Sequence, residues 1–174
     1  LVIDVGNTRT KLAVFDKNNI ITVVVVSQSE VLDGIKELRK SYSQLHLAIV
    51  SSVGVLDQAV VNYLDIHFNL LVLSHETPLP FNNLYATPKT LGIDRIALVC
   101  ASVQQFSNKN VLIIDAGTCI TYDFITNTND YLGGSISPGI RMRYHALHNQ
   151  TAKLPLLETQ FPEHFIGNST INAI

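Results

Sequence analysis

Two carboxylates close short apolar runs in nearly the same wording. Asp4 ends "LVID" and is followed by Val5, Gly6, Asn7, Thr8, Arg9, Thr10 and Lys11. Asp115 ends "NVLIID" and is followed by Ala116, Gly117 and Thr118. A charge at the end of a buried strand is expensive unless something compensates it. A glycine-containing turn with small neighbours exposes successive backbone N–H groups, a concavity suited to phosphate oxygens. Thr8, Thr10 and Thr118 can add hydroxyl donors, and Lys11, alternating with Thr10, can reach back toward the turn. The two acids offer the oxygen ligands that Mg2+ takes while keeping several of its waters. Taken singly, each loop also reads as a hairpin turn in which glycine supplies a positive φ. Taken together, they point to two loops facing across a cleft and gripping a nucleotide polyphosphate from both sides.

A third group of residues lies in "TLGIDRIALVCASVQQF". Ile93, Ile96, Ala97 and Cys100 recur at helical spacing, which places Asp94 at the start of a helix as an N-cap or first-turn acid. Arg95 is either a surface charge or a clamp whose fork matches a carboxylate bidentately.

The elements that must position these residues follow from periodicity. Residues 2–5, 10–15 and 20–26 read as an antiparallel meander, with turns at 6–9 and at "DKNN". Val31, Ile35 and Leu38 predict a helix over 30–41, followed by a strand over 45–50, a helix over 55–68 and a strand over 70–73. "HETPLPFNN" reads as loop because of its prolines, and 93–106 as helix. The pattern then restarts: strand 111–115, turn 116–118, strand 120–125, turn "TNTND", strand 131–136, and a helix after Pro138 and Gly139 running to 152. This is an internal duplication of a whole domain unit, with domains expected at 1–108 and 109–174. The second copy is the shorter, so the natural chain is expected to continue past Ile174 by one more helix–strand–helix section.

Composition narrows the class. The chain has 174 residues, 47% hydrophobic and 15% charged, with a mean hydropathy of +0.24 and a net charge of -2. It can bury a sizeable core, and without a Lys/Arg cluster a nucleic-acid partner is disfavoured. Cys100 and Cys119 have neither disulfide nor metal spacing and read as small buried hydrophobes. The apolar runs fall short of the ~18–20 residues of a membrane span. No charged leader precedes an apolar core, so a cytoplasmic setting is expected. "IITVVVV" reads as a β core segment. Ser51 and Ser52 follow a strand and are candidates to border the cleft. His145 and His148 are three apart on a helix but do not by themselves define a metal site; His46, His67, His75 and His164 show no partner in the sequence.

The two acid–glycine loops resemble those of the sugar-kinase/actin/heat-shock ATPase superfamily. The resemblance implies an α/β fold of two related ribonuclease-H-like, actin-like domains, with mixed sheets flanking a nucleotide cleft and an incomplete C-terminal domain. "DVGNTRTK" at 4–11, "LGIDR" at 91–95, "DAGTCITYD" at 115–123, "GGSISPG" at 133–139, "TAKLP" at 151–155 and "GNSTINAI" at 167–174 follow the order found in type III pantothenate kinases. That likeness implies transfer of the ATP γ-phosphoryl to the primary hydroxyl of pantothenate, giving 4'-phosphopantothenate on the way to coenzyme A. By the same resemblance, Asp4, Val5, Gly6, Asn7, Thr8, Arg9, Thr10, Lys11 and Thr118 contact ATP. Tyr85, Gly92, Ile93, Asp94, Arg95 and Thr170 form the pantothenate site, with Asp94 as proton acceptor. Asp4 would hold Mg2+, and Asp115 a monovalent cation, K+ or NH4+, near the interface of a cytoplasmic homodimer. Three alternatives stand beside this one: another small-molecule kinase or phosphatase of the superfamily, a nonenzymatic accessory protein on the same scaffold, and a structural remnant. An accessory protein is free to lose Asp4 or Asp94, and this chain retains both.

Overall fold

The computed structural model describes residues 1–6, 9–52 and 56–174. Among the described residues, two mixed sheets and five α-helices make a mixed α/β protein. The chain groups into two compact units: Leu1–Pro80 with Tyr85–Ala101, and Phe81–Leu84 with Ser102–Ile174.

In the first unit, β1 (Val2–Val5), β2 (Thr10–Asp16) and β3 (Asn19–Val26) form the expected antiparallel meander. Lys17, at φ 52°, turns the hairpin between β2 and β3. Then come α1 (Val31–Ser41), β4 (Leu47–Ser52), α2 (Gln58–His67) and β5 (Asn69–Val72). β4 lies parallel to β1 and β5 parallel to β4, giving the order β3-β2-β1-β4-β5. Strand alternation sends Ile3, Val5, Leu12, Val14, Ala48 and Val50 to one face. There they join Val31, Ile35 and Leu38 of α1 and Val60 and Leu64 of α2 in one core. The α1 triplet is the one its spacing predicts. Asp57 caps α2, its Oδ1 accepting from the Ala59 N–H at 2.8 Å. The start predicted for this helix, at residue 55, lies outside the described residues.

"IITVVVV" is core on one face only, where Val24 and Val26 pack against the helix-covered cluster. It is the edge strand β3, and Ile20, Val23 and Val25 are at least half exposed. An apolar run has two faces, and the helices cover only one of them. α3 (Ile93–Gln105) begins in the first unit and ends in the second.

The second unit holds β6 (Asn82–Asn83), β7 (Val111–Ala116), β8 (Cys119–Ile125), β9 (Asp130–Pro138), α4 (Ile140–Asn149) and α5 (Thr170–Ala173). Its sheet runs β6-β9-β8-β7. β6 was expected to be loop. Pro78 and Pro80 constrain only the residues before it, so the N–H groups of Asn82 and Leu84 remain free to donate to Asn129 and Tyr131 carbonyls, at 2.8 and 3.0 Å. Asn82 Nδ2 also donates to Asp130 Oδ1 at 3.0 Å. Bonds from Asn82 and Thr128 hold the Asp130 carboxyl below its ordinary value. Phe81, Ile125 and Tyr131 are buried, and so is Asp123, which accepts from the Tyr131 hydroxyl at 2.6 Å.

α4 opens on Gly139, whose N–H donates to the Thr118 carbonyl at 3.0 Å. A Cβ at residue 139 would run into the carbonyl oxygens of Gly117 and Thr118. Both obstacles are backbone, so Gly139→Ala is expected to cost about 1–3 kcal/mol, the usual scale of overpacking. A thermal melt reads this directly, and an unchanged melting temperature would contradict the tight fit of helix against turn.

Candidate functional site

In the first unit, Asp4 on β1 stands opposite Lys11 on β2 and beside Ser51 on β4. Lys11 Nζ lies 3.7 Å from Asp4 Oδ2, and the Asp4 side chain is 44% exposed. β1 is therefore not buried on both faces: Ile3 and Val5 meet the helices, and Asp4 lies on the other side. Such a half-exposed ion pair contributes little to folding, which leaves the carboxylate available to a ligand. The Gly6 N–H donates to the Arg9 carbonyl at 3.1 Å and closes the turn, with Arg9 itself exposed. Val5 and Thr10 pair across β1 and β2, both buried on the helix-covered face. The structure thus brings Asp4 and Lys11 together and sets Thr10 on the opposite face. Asn7 and Thr8, named above as ATP contacts, lie outside the described residues.

In the second unit, Asp115 on β7 faces Thr121 on β8. Asp115 and Thr118 are both exposed, and β7 alternates between half-buried and exposed residues before its exposed end. The Gly117 N–H donates to the Cys119 carbonyl at 2.8 Å, which folds the turn tightly. Among the described residues Asp115 forms no ion pair. Nor do any three of His, Cys, Asp and Glu come together there. Single accessible carboxylates fit Mg2+, which is usually held by one or two carboxylates together with phosphates and water rather than by an all-protein cage.

The third group of residues sits where α3 begins. Asp94 is half-buried, and its Oδ1 accepts from the Arg95 N–H at 2.8 Å, as a first-turn acid does. Arg95 is only 5% exposed, and its Cζ lies 5.6 Å from the centroid of the Tyr85 ring. It is therefore not a surface charge. The buried stripe of α3 runs through Arg95, Ile96 and Val99, while Ile93, Ala97 and Cys100 are half-buried. Cys100 and Cys119 are both half-buried rather than core, and burial pushes the Cys100 thiol up. His75 has a partner after all: its Nε2 lies 2.8 Å from the Leu91 carbonyl and ties the loop after β5 to the approach to α3. Thr170 is exposed and opens α5, which Ser169 caps through the Asn172 N–H at 3.2 Å.

Gly92 shapes the same corner. A Cβ there would press on Asp94 Oδ1. The obstacle is the end of a flexible side chain, so Gly92→Ala is expected to rotate the carboxylate rather than unfold the chain. Misplacement by about 1 Å can cost about 10²-fold in rate. The expected result is a kcat lowered by about 10- to 100-fold at an unchanged melting temperature; a normal kcat would mean that the orientation of Asp94 is unimportant.

The Asp123–Tyr131 pair has no signal in the sequence beyond the acid of "TYD" at residues 121–123. The sequence marks Ser51 as a candidate to border the cleft but does not place it beside Asp4. In both cases the missing information is a register between strands.

A family model described as type III pantothenate kinase matches residues 1–174. The type III pantothenate kinase of Flavobacterium johnsoniae is 45% identical over 174 residues, covering 100% of this chain and 71% of its own length. That of Christiangramia forsetii is 48% identical over 174 residues, covering 100% and 72%. A solved Campylobacter jejuni structure, described as a conserved Baf family transcriptional activator, superimposes with a TM-score of 0.57 at 22% identity, over 99% of this chain and 70% of that one. At that identity the likeness concerns the fold alone. The chain belongs to the type III pantothenate kinase family.

Proposed function

We infer that the protein phosphorylates pantothenate with ATP as co-substrate, giving 4'-phosphopantothenate for coenzyme A biosynthesis. The observation that carries this reading is the pairing of a half-buried Asp94 with a buried Arg95 at one helix start, in a chain that belongs to this family. Phosphoryl transfer is mostly positioning and charge stabilisation. In this reading Asp94 orients the primary hydroxyl and accepts its proton late. Arg95, held against Tyr85, receives the distant carboxylate of pantothenate with its two-pronged fork. Gly92 and Ile93, beside Asp94 in the sequence, belong to the same acceptor site, and Thr170 is a further proposed pantothenate contact.

On the donor side, Asp4, Val5, Gly6, Arg9, Thr10 and Lys11, together with Asn7, Thr8 and Thr118, contact ATP. The backbone N–H groups of each turn and the Lys11 ammonium suit phosphate oxygens. Mg2+, when bound, neutralises phosphate charge, and Asp4 is the carboxylate proposed to hold it. Asp115, accessible and opposite the Thr121 hydroxyl, is the proposed ligand of K+ or NH4+. The order β3-β2-β1-β4-β5, with its first three strands antiparallel, supports an actin-like, ribonuclease-H-like fold for the first unit. A cytoplasmic homodimer belongs to the same reading; among the described residues no helix is long and apolar enough to cross a membrane.

The test is incubation of the protein with ATP, Mg2+, K+ and pantothenate, with mass detection of phosphopantothenate. Product formation that needs all of the first three substances supports the reading. Absence of product from a folded protein that binds Mg2+·ATP would turn it toward the nonenzymatic alternative.

A further inference from the structure

Ser51 is the last residue but one of β4, at the point where that strand runs parallel to β1. Its register partner is Asp4, and Asp4 in turn faces Lys11. Ala48 and Val50 alternate toward the helices, so Ser51, Asp4 and Lys11 form one cross-strand row on the other face. Ser51 is 9% exposed, and its Oγ is buried with no hydrogen-bond partner among the described residues. A buried hydroxyl left unpaired is a standing cost to the fold. The Asp4 carboxylate beside it is incompletely engaged, because Lys11 approaches only to 3.7 Å, beyond hydrogen-bond range. In the second unit Thr121, opposite Asp115 on the antiparallel strand β8 and so in the place Lys11 takes in the first, also has a buried Oγ1 without a partner among the described residues. In each unit, then, the acid one residue before the end of the first hairpin strand has a buried hydroxyl beside it, on the parallel strand β4 in the first and on the antiparallel strand β8 in the second.

We propose that Ser51 is a positioning residue of the nucleotide–metal site: its Oγ accepts a hydrogen bond from a water carried by Mg2+ held at Asp4. Mg2+ usually retains several of its waters, which are strong donors. A hydroxyl acceptor fixed on a sheet beside the liganding carboxylate would set the orientation of that water shell. Ser51 touches neither the phosphoryl group nor pantothenate; it acts through the hydrated ion. The inference rests on the reading of Asp4 as the Mg2+ carboxylate.

The test compares Ser51→Ala, Ser51→Thr and Asp4→Asn in the full chain, by calorimetric titration with Mg2+·ADP and with ADP in EDTA, and by melting with and without each. Ser51→Ala should melt at or slightly above the wild-type temperature without ligand, since it removes an unpaired buried hydroxyl. Its Kd for Mg2+·ADP should rise about 10-fold, the scale of a lost outer ligand contact, while its Kd for ADP in EDTA stays unchanged. Ser51→Thr, which restores the acceptor, should recover most of the loss. Wild-type affinity of Ser51→Ala for Mg2+·ADP overturns the proposal. If Asp4→Asn nevertheless loses that affinity, only the role of Ser51 falls. If Asp4→Asn binds normally too, the assignment of Mg2+ to Asp4 falls with it. Should Ser51→Ala not fold, Ser51→Cys decides: its sulfur is a weak acceptor, so weakened Mg2+·ADP binding supports the proposal and undiminished binding refutes it.

Discussion

Replacing Asp94 with asparagine should lower kcat by about 10²-fold or more, the usual scale for a lost general base, and leave the melting temperature unchanged. The two side chains have the same shape, and the asparagine oxygen can still accept from the Arg95 N–H that Asp94 Oδ1 now engages at 2.8 Å. The start of α3 is therefore retained. What would disappear, on the proposed role of Asp94, is the capacity to take a proton from the reacting hydroxyl. Because that transfer matters in the transition state and not in binding, KM for pantothenate should move little. Steady-state kinetics and a thermal melt on the same preparation separate the two readings. A wild-type kcat, or a clear loss of stability with the rate per folded molecule intact, would leave Asp94 as a first-turn acid and nothing more.

The opposite split is expected at Arg95. A hydrogen bond to a charged group is worth about 1.5–3 kcal/mol, so Arg95→Ala should raise KM for pantothenate by about 10- to 100-fold, with a smaller effect on kcat. In the proposed site this contact would be made in ground and transition states alike. Arg95 is 5% exposed and packs on Tyr85, so this variant should also melt earlier. Arg95→Lys separates packing from recognition: it keeps the charge and much of the stem but loses the planar fork. The decisive comparison is between pantothenate and a neutral amide analogue. If Arg95 meets the carboxylate, the wild-type preference for the acid should shrink in both variants. Equal losses for the acid and the amide would show that Arg95 supports the pocket without touching that group.

Much of this protein is written locally. The meander, the spacing of Val31, Ile35 and Leu38, the turn at "DKNN" and the duplicated acid–glycine loops are patterns within a few consecutive residues, where backbone preference and periodicity act directly. The sequence by itself also determined the family, because several short motifs occur in a definite order along the chain. Periodicity specifies that a strand has two faces and a helix a stripe; it does not say what will cover them. Tertiary structure decided that "IITVVVV" is an edge strand, that Asp4 sits half in water, and that the buried stripe of α3 takes in Arg95 instead of leaving it at the surface. Long-range pairing decided the rest. Asn82 and Asn83 become a strand only because β9 offers them carbonyls, and Ser51 meets Asp4 only because β4 lies parallel to β1 in one particular register. A parallel register joins residues that are distant in the chain and is set by how whole elements pack, so no local pattern contains it.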